Sequence, residues 1–381
     1  MEFKIPLFDL NYDDNEINAV TSVLRSKWIS CGPKCEKLEK MFSEMLNVKY
    51  AISVSNCTAA LHLSLLAAGI KEGDEVIVPS YTFVATVNAI RYVGAVPVFA
   101  DVVSPDNLCI SADSIRNNIT EKTRAVMIMH FGGYSCDMDA IMEIARDYDI
   151  KVIEDACHGP LSEYKGKKLG SFGVAGCFSF FSNKNISTAE GGVLVTNEEN
   201  IYQKAKLLRS HGMTVLSYEK SKGHSTSYDV MELGHNYRFN DILASIGIEQ
   251  LKKLPKDIEL RNKIRSRYID NLSNNDSIII PFKDYPYRSS SYIFPVVLKD
   301  FGFEKRDRLR AILQDNGIQT SVHYPPAHRF SLYKEYQNDL PVTEYVADNE
   351  VTLPMYGSLK NEQIDYICQT MEKVVFEVKN N

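Results

Sequence analysis

Short apolar segments alternate with amphipathic ones over the first half of the chain. The apolar segments are rich in β-branched and aromatic residues and are too short for anything but strands. They do not alternate strictly with polar residues, which is typical of strands buried on both faces of a parallel sheet. We predict strands at residues 50–55, 74–80, 96–101, 125–130, 151–156, 177–181 and 191–196.

The segments between most of these strands have the 3.6-residue spacing of amphipathic helices. Two helices are also expected before the first strand, within residues 14–46, around a break at Gly32-Pro33. The order of elements predicts an α/β fold, with a mostly parallel seven-stranded sheet and helices on both of its faces. The predicted helices between the strands cover residues 58–70, 82–94, a stretch after Ser111, and 139–150.

The pattern changes after residue 197, where a helix over 198–209 is followed by a polar, weakly periodic stretch at 213–232 that predicts a long loop. Residues 239–273 predict two long helices broken near Leu254-Pro255, since proline interrupts helices. We therefore expect a large domain over residues 1–254 and a smaller α+β C-terminal domain over 255–381. The smaller domain is predicted to have strands within 277–281, 291–298 and 318–324 and helices at 304–315 and 360–377.

Composition narrows the class of protein. The 381 residues are 44% hydrophobic and 24% charged, as in ordinary globular proteins, and a net charge of -6 without a basic tract makes a nucleic-acid partner unexpected. No apolar run approaches the length of a membrane span, and the start of the chain lacks the pattern of a secretory signal. The eight cysteines lack zinc-site spacing, so we expect reduced thiols, no metal and a cytoplasmic location.

Four predicted strands are followed by residues with distinct chemistry, and ligands of open α/β sheets bind beyond the carboxyl ends of strands. Asn56 and Thr58 open a helix, where free N–H groups suit a phosphate, although simple N-capping explains them equally well. Phe83 comes at the next strand-to-helix turn, as a core residue or as a platform for a flat ring. Asp155 ends a buried strand, either as a cap for the next turn or as the partner of a cation.

Lys184 lies between the strands at 177–181 and 191–196. Such a turn holds the backbone while the amine points into a cavity, and we expect burial to make that amine neutral near pH 7. A solvated surface lysine is the alternative. Taken together in this order, the phosphate-type helix start, the aromatic residue, the strand-end carboxylate and Lys184 indicate a pyridoxal phosphate (PLP) site. Lys184 would form the imine with PLP, and Asp155 would keep the pyridine nitrogen protonated.

Several long motifs, which occur in order along the chain, resemble those of one protein family. The segments WISCGPKCEKLEKMF, SNCTAALHLSLLAAGIKEGDEVIVPSYTFVATVNAI, VIEDACHGP, FSFFSNKNISTAEGGVLVTN and HNYRFNDILASIGIEQL together resemble the DegT/StrS-type sugar aminotransferases, which are PLP enzymes of the aspartate aminotransferase fold. The resemblance implies that Lys184 is the Schiff-base lysine and that Asp155 pairs with the pyridinium nitrogen. Family members with histidine in place of this lysine are dehydratases, so Lys184 argues against that chemistry.

The same resemblance assigns the remaining cofactor contacts. His158 stands where the family commonly has a glutamine that contacts the ring hydroxyl of PLP. Phe83 matches the stacking aromatic, and Asn236 matches an asparagine that reaches the phosphate of the neighbouring subunit's cofactor, which implies a homodimer with shared active sites. The positions that match the phosphate-binding residues are Thr58, Ala59 and Ser179.

The resemblance also implies a reaction. An amino acid, L-glutamate by resemblance, would donate its amino group to a nucleotide-linked keto-sugar, and the segment KNISTAEGG is similar to enzymes that aminate C4 of 4-keto-6-deoxysugars. Amination at C3, amination of a cyclitol, and a non-catalytic regulatory relative stay open as alternatives. Arg238 is a candidate for the nucleotide diphosphate or the donor carboxylate, since a guanidinium suits either anion. His323 and Tyr324 either line the sugar pocket or are structural.

Overall fold

The computed structural model describes residues 3–214, 227–336 and 338–380. Its strands, numbered along the chain, are β1 (Tyr50–Val54), β2 (Glu75–Pro79), β3 (Val96–Ala100), β4 (Val102–Ser104), β5 (Asn107–Ile110), β6 (Thr123–Met129), β7 (Lys151–Asp155), β8 (Glu163–Tyr164), β9 (Lys167–Lys168), β10 (Ala175–Ser179), β11 (Gly192–Thr196), β12 (Ile278–Ile279), β13 (Phe294–Leu298) and β14 (Glu350–Leu353).

The α-helices of the described residues are α1 (Asp14–Ser26), α2 (Pro33–Leu46), α3 (Cys57–Ala67), α4 (Val84–Tyr92), α5 (Ala112–Asn117), α6 (Met138–Asp147), α7 (Glu199–Leu208), α8 (Asp241–Leu272), α9 (Gly302–Asp315), α10 (Pro341–Asn349) and α11 (Asn361–Asn380). Short 3₁₀ turns occur at Phe131–Gly133, Ala327–Arg329 and Ser331–Tyr336.

The central sheet has seven strands in the order β1-β11-β10-β7-β6-β2-β3. Only β11 runs against its neighbours in this sheet, and the other strands are parallel to one another. The predicted mostly parallel seven-stranded sheet is therefore confirmed. The small hairpins β4-β5 and β8-β9 were not predicted, since each of their strands has four residues or fewer.

Helices cover both faces of this sheet. In β2, Val76 and Val78 pack into a core cluster shared with α3, α4 and α7, while Ile77 packs into a second cluster shared with α5 and α6. Because successive side chains of a strand point to opposite faces, a strand buried on both faces is apolar at most of its positions. The unbroken apolar runs of the sequence have this cause.

The C-terminal part of the chain forms a separate antiparallel sheet, β12-β13-β14, which packs with α9 and α11 in its own core cluster. The expected α+β arrangement is confirmed, but the predicted strand at 318–324 is wrong. That segment makes only two isolated bridges, Ile5 with Ile318 and Ser321 with Thr352. Ile318 and Ser321 find their partners in different parts of the chain, so no regular ladder forms.

The predicted break near Leu254-Pro255 is also wrong, because α8 runs continuously for 32 residues with Pro255 inside it. Pro255 is exposed, so its ring and the missing N–H disturb no packed surface. One end of α8 packs with α2 and the other end packs in the C-terminal core, where Ile5 also lies. The helix thus crosses the proposed boundary, and the division into domains at 254/255 stays a prediction.

Most of the predicted loop at 213–232 lies outside the described residues, which resume at Ser227. Within the part of the chain that the structure describes, we find no helix with both the length and the apolar character needed to cross a lipid bilayer.

Candidate active site

A cavity of about 690 Å³ lies at the edge of the sheet where the parallel strands β1, β2, β7 and β10 end. The segments that follow these strands all begin at this edge, so residues that are distant in sequence meet there. The cavity brings together eight of the predicted site residues: Thr58, Ala59, Phe83, Asp155, Ser179, Lys184, His323 and Tyr324.

The first turn of α3 forms one wall of the cavity. Asn56 caps the helix, with its side chain accepting a hydrogen bond from the Ala59 N–H at 2.8 Å. The first N–H groups of a helix have no partner within it, so those of Cys57 and Thr58, which line the cavity, remain for an anion. This turn therefore allows both capping, through the Ala59 N–H, and anion binding, through the N–H groups of Cys57 and Thr58.

Asp155 is the last residue of β7 and is 3% exposed. One carboxylate oxygen, Oδ2, accepts a hydrogen bond from Thr86 Oγ1 at 2.8 Å, and Oδ1 accepts one from the Cys157 N–H at 3.2 Å. A buried carboxylate needs such donors because burial removes its hydration. The two bonds hold the charge at the cavity wall, where a cationic ring nitrogen would find it.

Lys184 projects into the cavity from the turn between β10 and β11, with Nζ 4.2 Å from the centre of the Tyr292 ring. Burial opposes its charged form, but Tyr292, Cys157 and Asp155 favour that form, and the net effect raises the pKa of Lys184 above its usual value. The expectation of a neutral amine near pH 7 is thus wrong for the chain by itself, since these neighbours outweigh burial. A charged amine here attracts an anionic ligand.

Aromatic rings form much of the remaining wall. Phe83 is 55% exposed although it is apolar, and it faces the cavity with its ring 5.9 Å from that of Tyr324. An exposed apolar ring beside a cavity is suited to cover a flat ligand. Phe83 therefore lies where a stacking residue is needed, rather than in the core.

His158 lies behind this wall and contacts the cavity through Tyr324. Its Nδ1 accepts a hydrogen bond from the Gly132 N–H at 3.2 Å, which leaves the proton of the neutral ring on Nε2, 3.0 Å from Tyr324 Oη. Burial and the charge of Lys184 lower the pKa of His158 well below its usual value. His158 is therefore neutral at pH 7 and donates to Tyr324.

Comparison with known proteins identifies the family. The sequence profile of the DegT/DnrJ/EryC1/StrS aminotransferase family matches residues 11–372. The chain belongs to this family. The curated relatives include GDP-perosamine synthase of Escherichia coli O157:H7, 37% identical over 370 residues, which covers 97% of this chain and 98% of the relative. They also include the spore coat polysaccharide biosynthesis protein SpsC of Bacillus subtilis, 36% identical over 367 residues and 94% of each chain.

Solved structures of the family agree with the fold. The putative sugar aminotransferase Spr1654 of Streptococcus pneumoniae in its PMP form has a TM-score of 0.92 and 30% identity, covering 98% of this chain and 100% of the other. PseC of Helicobacter pylori, an aminotransferase of pseudoaminic acid biosynthesis, has a TM-score of 0.91 and 29% identity, covering 99% and 100%. The chain is accordingly a PLP-dependent aminotransferase with the aspartate aminotransferase fold.

The residues present in the cavity fit PLP. The cofactor needs an anion site, a flat wall, a carboxylate for its ring nitrogen and an amine for its aldehyde. The turn at Thr58 with Ser179, the ring of Phe83, the carboxylate of Asp155 and the amine of Lys184 provide these in one cavity. The volume of about 690 Å³ is within the range of small-molecule sites and leaves room for a substrate beside the cofactor.

Asn236 and Arg238 do not line this cavity in the single chain. Asn236 forms an isolated bridge with Ser210, and Arg238 forms one with Val54 at the end of β1. The side chain of Asn236 is exposed, as a residue that reaches a neighbouring subunit must be. The predicted roles of both residues stay predictions.

Among the cavity residues that sequence reasoning missed, Thr86 and Tyr292 contact predicted site residues directly. Thr86 orients Asp155, and its own hydroxyl lies 2.9 Å from that of Thr82. Tyr292 lies against Lys184 and also packs on His158, with ring centres 4.2 Å apart. Thr86 could have been found from its place one turn into the helix after Phe83, but Tyr292 arrives from the distant C-terminal half and has no local signal.

Proposed function

We propose that this aminotransferase moves an amino group from L-glutamate to C4 of a nucleotide-linked 4-keto-6-deoxysugar. The observation that carries the proposal is the joint presence of Lys184, Asp155 and the α3 N-terminus in one cavity. The relatives named as a GDP-perosamine synthase and a sugar aminotransferase support a sugar as the acceptor.

Several residues of the cavity would bind the cofactor. Thr58, Ser179 and the free N–H groups of the α3 turn would hold the phosphate, and Phe83 would cover the ring. When bound, PLP supplies an aldehyde that carries the amino group between substrates and a ring that accepts electron density. Asp155 would keep a proton on the ring nitrogen, and its hydrogen bonds from Thr86 and the Cys157 N–H keep the carboxylate in place for this task.

Lys184 would serve both as the point of covalent attachment and as the group that moves the proton. Once its amine is free, it would remove the α-proton of the amino donor and would deliver it to the cofactor carbon that receives the amino group. The raised pKa of Lys184 means that Nζ must lose a proton before it can act as a base. Neutralisation of the nearby Asp155 charge by the cofactor's ring would ease that loss.

The position of amination is proposed from the segment KNISTAEGG around Lys184, which is similar to C4 aminotransferases. Tyr324 and His323 would line the sugar subsite, since both face the cavity from the C-terminal half of the chain. Arg238 would bind an anionic part of a substrate. We further propose that the protein works in the cytoplasm as a homodimer in which Asn236 reaches the cofactor of the other subunit.

The proposal is tested with purified protein, PLP, L-glutamate and a panel of UDP-, GDP- and dTDP-4-keto-6-deoxysugars. We expect visible absorbance from the bound cofactor and formation of a 4-amino sugar with one nucleotide. A product with its amino group at C3, or turnover of a cyclitol alone, would instead support one of the alternative aminotransferases. Wild-type protein that never shows cofactor absorbance would overturn the proposal and favour a regulatory relative.

The variant Lys184→Ala is expected to lose both the absorbance of the attached cofactor and turnover, because Lys184 is the only lysine among the described residues that line the cavity. The control is Lys165→Ala, which removes an exposed lysine from the β8-β9 hairpin, away from the cavity. Equal loss of activity in the two variants would show that the effect of Lys184 is not specific.

A further inference from the structure

A chain of hydrogen bonds leads from the cavity into the C-terminal core. His323 lines the cavity, and its Nδ1 lies 2.9 Å from Thr352 Oγ1. Thr352 in turn bonds Glu350 Oε1, while Glu350 Oε2 accepts the backbone N–H of His323 at 2.9 Å. The described residues offer no hydrogen bond to His323 Nε2, and this nitrogen is not one of their buried polar atoms without a partner, so it is accessible. His323 is one of the residues that line the cavity.

Glu350 and Thr352 are both fully buried in β14, so water cannot exchange protons with them directly. Burial raises the pKa of Glu350 to about 8, although bonds from Thr352 and His323 and the charges of Arg306 and Arg310 on α9 oppose the rise. Burial and the charge of Lys184 lower the pKa of His323 to about 3. The hydroxyls of Tyr81 and Tyr324 also lie within the electrostatic influence of Glu350.

The single hydroxyl proton of Thr352 makes the chain directional. When Glu350 is ionised, Thr352 donates to it and must accept from His323 Nδ1–H, so that Nε2 faces the cavity as an acceptor. When Glu350 carries a proton on Oε1, it donates to Thr352, Thr352 donates to Nδ1, and Nε2–H faces the cavity as a donor. The protonation of a buried carboxyl group thus decides what His323 presents to a ligand.

We propose that His323, Thr352 and Glu350 form a proton relay that exchanges one proton between the cavity and the buried carboxyl group of Glu350. The balance is one proton at each step: Nε2–H gives its proton to a ligand oxygen, Nδ1 takes the Thr352 proton, and Thr352 takes the Glu350 proton. The reverse order returns it. The imidazole stays neutral throughout, as its depressed pKa requires.

The relay deepens the proposed function and rests on it for its substrate. The ligand oxygen is the carbonyl oxygen of the keto-sugar, which must gain protons to leave as water when the carbon receives nitrogen. His323 would contact this oxygen, whereas Thr352 and Glu350 act through His323 and are positioning residues. Lys184 handles the proton on carbon, so the two proton transfers use separate groups.

The relay is tested on the purified chain by ¹⁵N NMR of its histidines. We expect the His323 Nε2 signal to change from a protonated to an unprotonated nitrogen as the pH rises through about 8, while Nδ1 changes in the opposite sense. His158 provides the control within the same spectra, because the Gly132 N–H fixes its tautomer at every pH. No change at His323 between pH 6 and pH 10 would overturn the proposal.

Variants separate the relay from a structural role. Glu350→Gln cannot titrate. Its amide oxygen must accept the backbone N–H of His323, so its amide N–H₂ faces Thr352 and donates to the Thr352 hydroxyl. Thr352 then donates to His323 Nδ1, and we expect the Nε2–H tautomer at all pH values. Thr352→Val removes the hydroxyl and should abolish the pH-linked exchange, whereas Thr352→Ser keeps the hydroxyl and should retain it. A His323 tautomer that still switches near pH 8 in Thr352→Val would show that Thr352 carries no proton.

Activity then connects the relay with catalysis. If the keto-sugar is the ligand, Thr352→Val should lower kcat by about 10-fold or more while Thr352→Ser stays near the wild type, since a positioned acid contributes about 10²–10⁴-fold in rate. Normal tautomer switching in a protein that aminates no sugar would leave the relay standing and the proposed function overturned. Normal sugar amination in a protein whose His323 tautomer does not switch would leave the proposed function standing and would overturn the relay.

Discussion

At the scale of single residues, the site depends on buried charges whose partners are fixed. Asp155 would be costly at the end of a buried strand without the Thr86 hydroxyl and the Cys157 N–H. Lys184 stays charged because Tyr292, Cys157 and Asp155 favour its ammonium form. The charge of Asp155 therefore contributes to the protonation of Lys184, and a change at Asp155 is expected to alter the reactivity of Lys184.

Asp155→Asn is expected to reduce the rate of transamination by about 100-fold or more, because it removes a preorganised charge and keeps the shape of the side chain. Cofactor absorbance should persist, since Lys184 is intact. The measurement is single-turnover transamination followed by absorbance.

The matched variant is Thr86→Val, which removes one hydrogen bond to Asp155 and leaves its charge. We expect a smaller loss than in Asp155→Asn. If Thr86→Val were as slow, orientation of the carboxylate, and not its charge, would limit the rate.

At the scale of elements, the anion site depends on how closely β11 approaches the start of α3. A side-chain carbon at Gly192 would lie only 2.7 Å from the backbone C of Asn56 and the backbone N of Cys57. Backbone atoms cannot move aside as the end of a side chain can. The absence of a side chain at Gly192 therefore sets the position of the turn that holds Thr58.

Gly192→Ala should displace the α3 turn, lower the free energy of unfolding by about 1–3 kcal/mol and weaken PLP binding, since overpacking shifts the backbone. Chemical denaturation and a PLP titration measure the two effects. Gly247→Ala is the control, because a carbon there would meet only side-chain atoms of Leu38 and Thr188, at 3.2–3.3 Å. PLP affinity that is unchanged in Gly192→Ala would show that the turn tolerates displacement.

At the scale of the whole molecule, the single chain leaves apolar side chains uncovered beside Asn236. Leu233 is 92% exposed and Met231 is 63% exposed, three and five positions before Asn236. Exposed apolar clusters of this kind mark surfaces that associate with another chain. They agree with the proposal that a second copy covers this segment and receives Asn236 in its cavity.

Mixing two inactive variants tests the shared site. If Asn236 serves the neighbouring subunit, a heterodimer of Lys184→Ala and Asn236→Ala chains has one site with both residues intact. Refolding the two variants together should then restore about a quarter of wild-type activity, since half of the random dimers are mixed and each has one good site. If Asn236 serves its own chain, every site stays defective and no activity returns. Analytical ultracentrifugation of the mixture checks whether the refolded chains are dimers.

Much of the fold could be predicted because local pattern and burial agree. The strands and helices of the large sheet follow from apolar runs and helical spacing, and the strand-end positions of Thr58, Asp155 and Ser179 follow from the rule that ligands bind beyond parallel strands. The continuous α8 could not be predicted, because packing at both of its ends holds Pro255 in a helix that local propensity would interrupt.

The sequence by itself determined the parallel sheet and the family, and it predicted the roles of Lys184 and Asp155, since these depend on local pattern and on motifs read in order. Only the tertiary structure decided the charge of Lys184, the neutral tautomer of His158 and the link from His323 to Glu350. Protonation depends on burial and on neighbours a few ångströms away. Those neighbours come from other parts of the chain: Tyr292 lies 108 residues after Lys184, and Thr352 lies 29 residues after His323, and only folding brings them together.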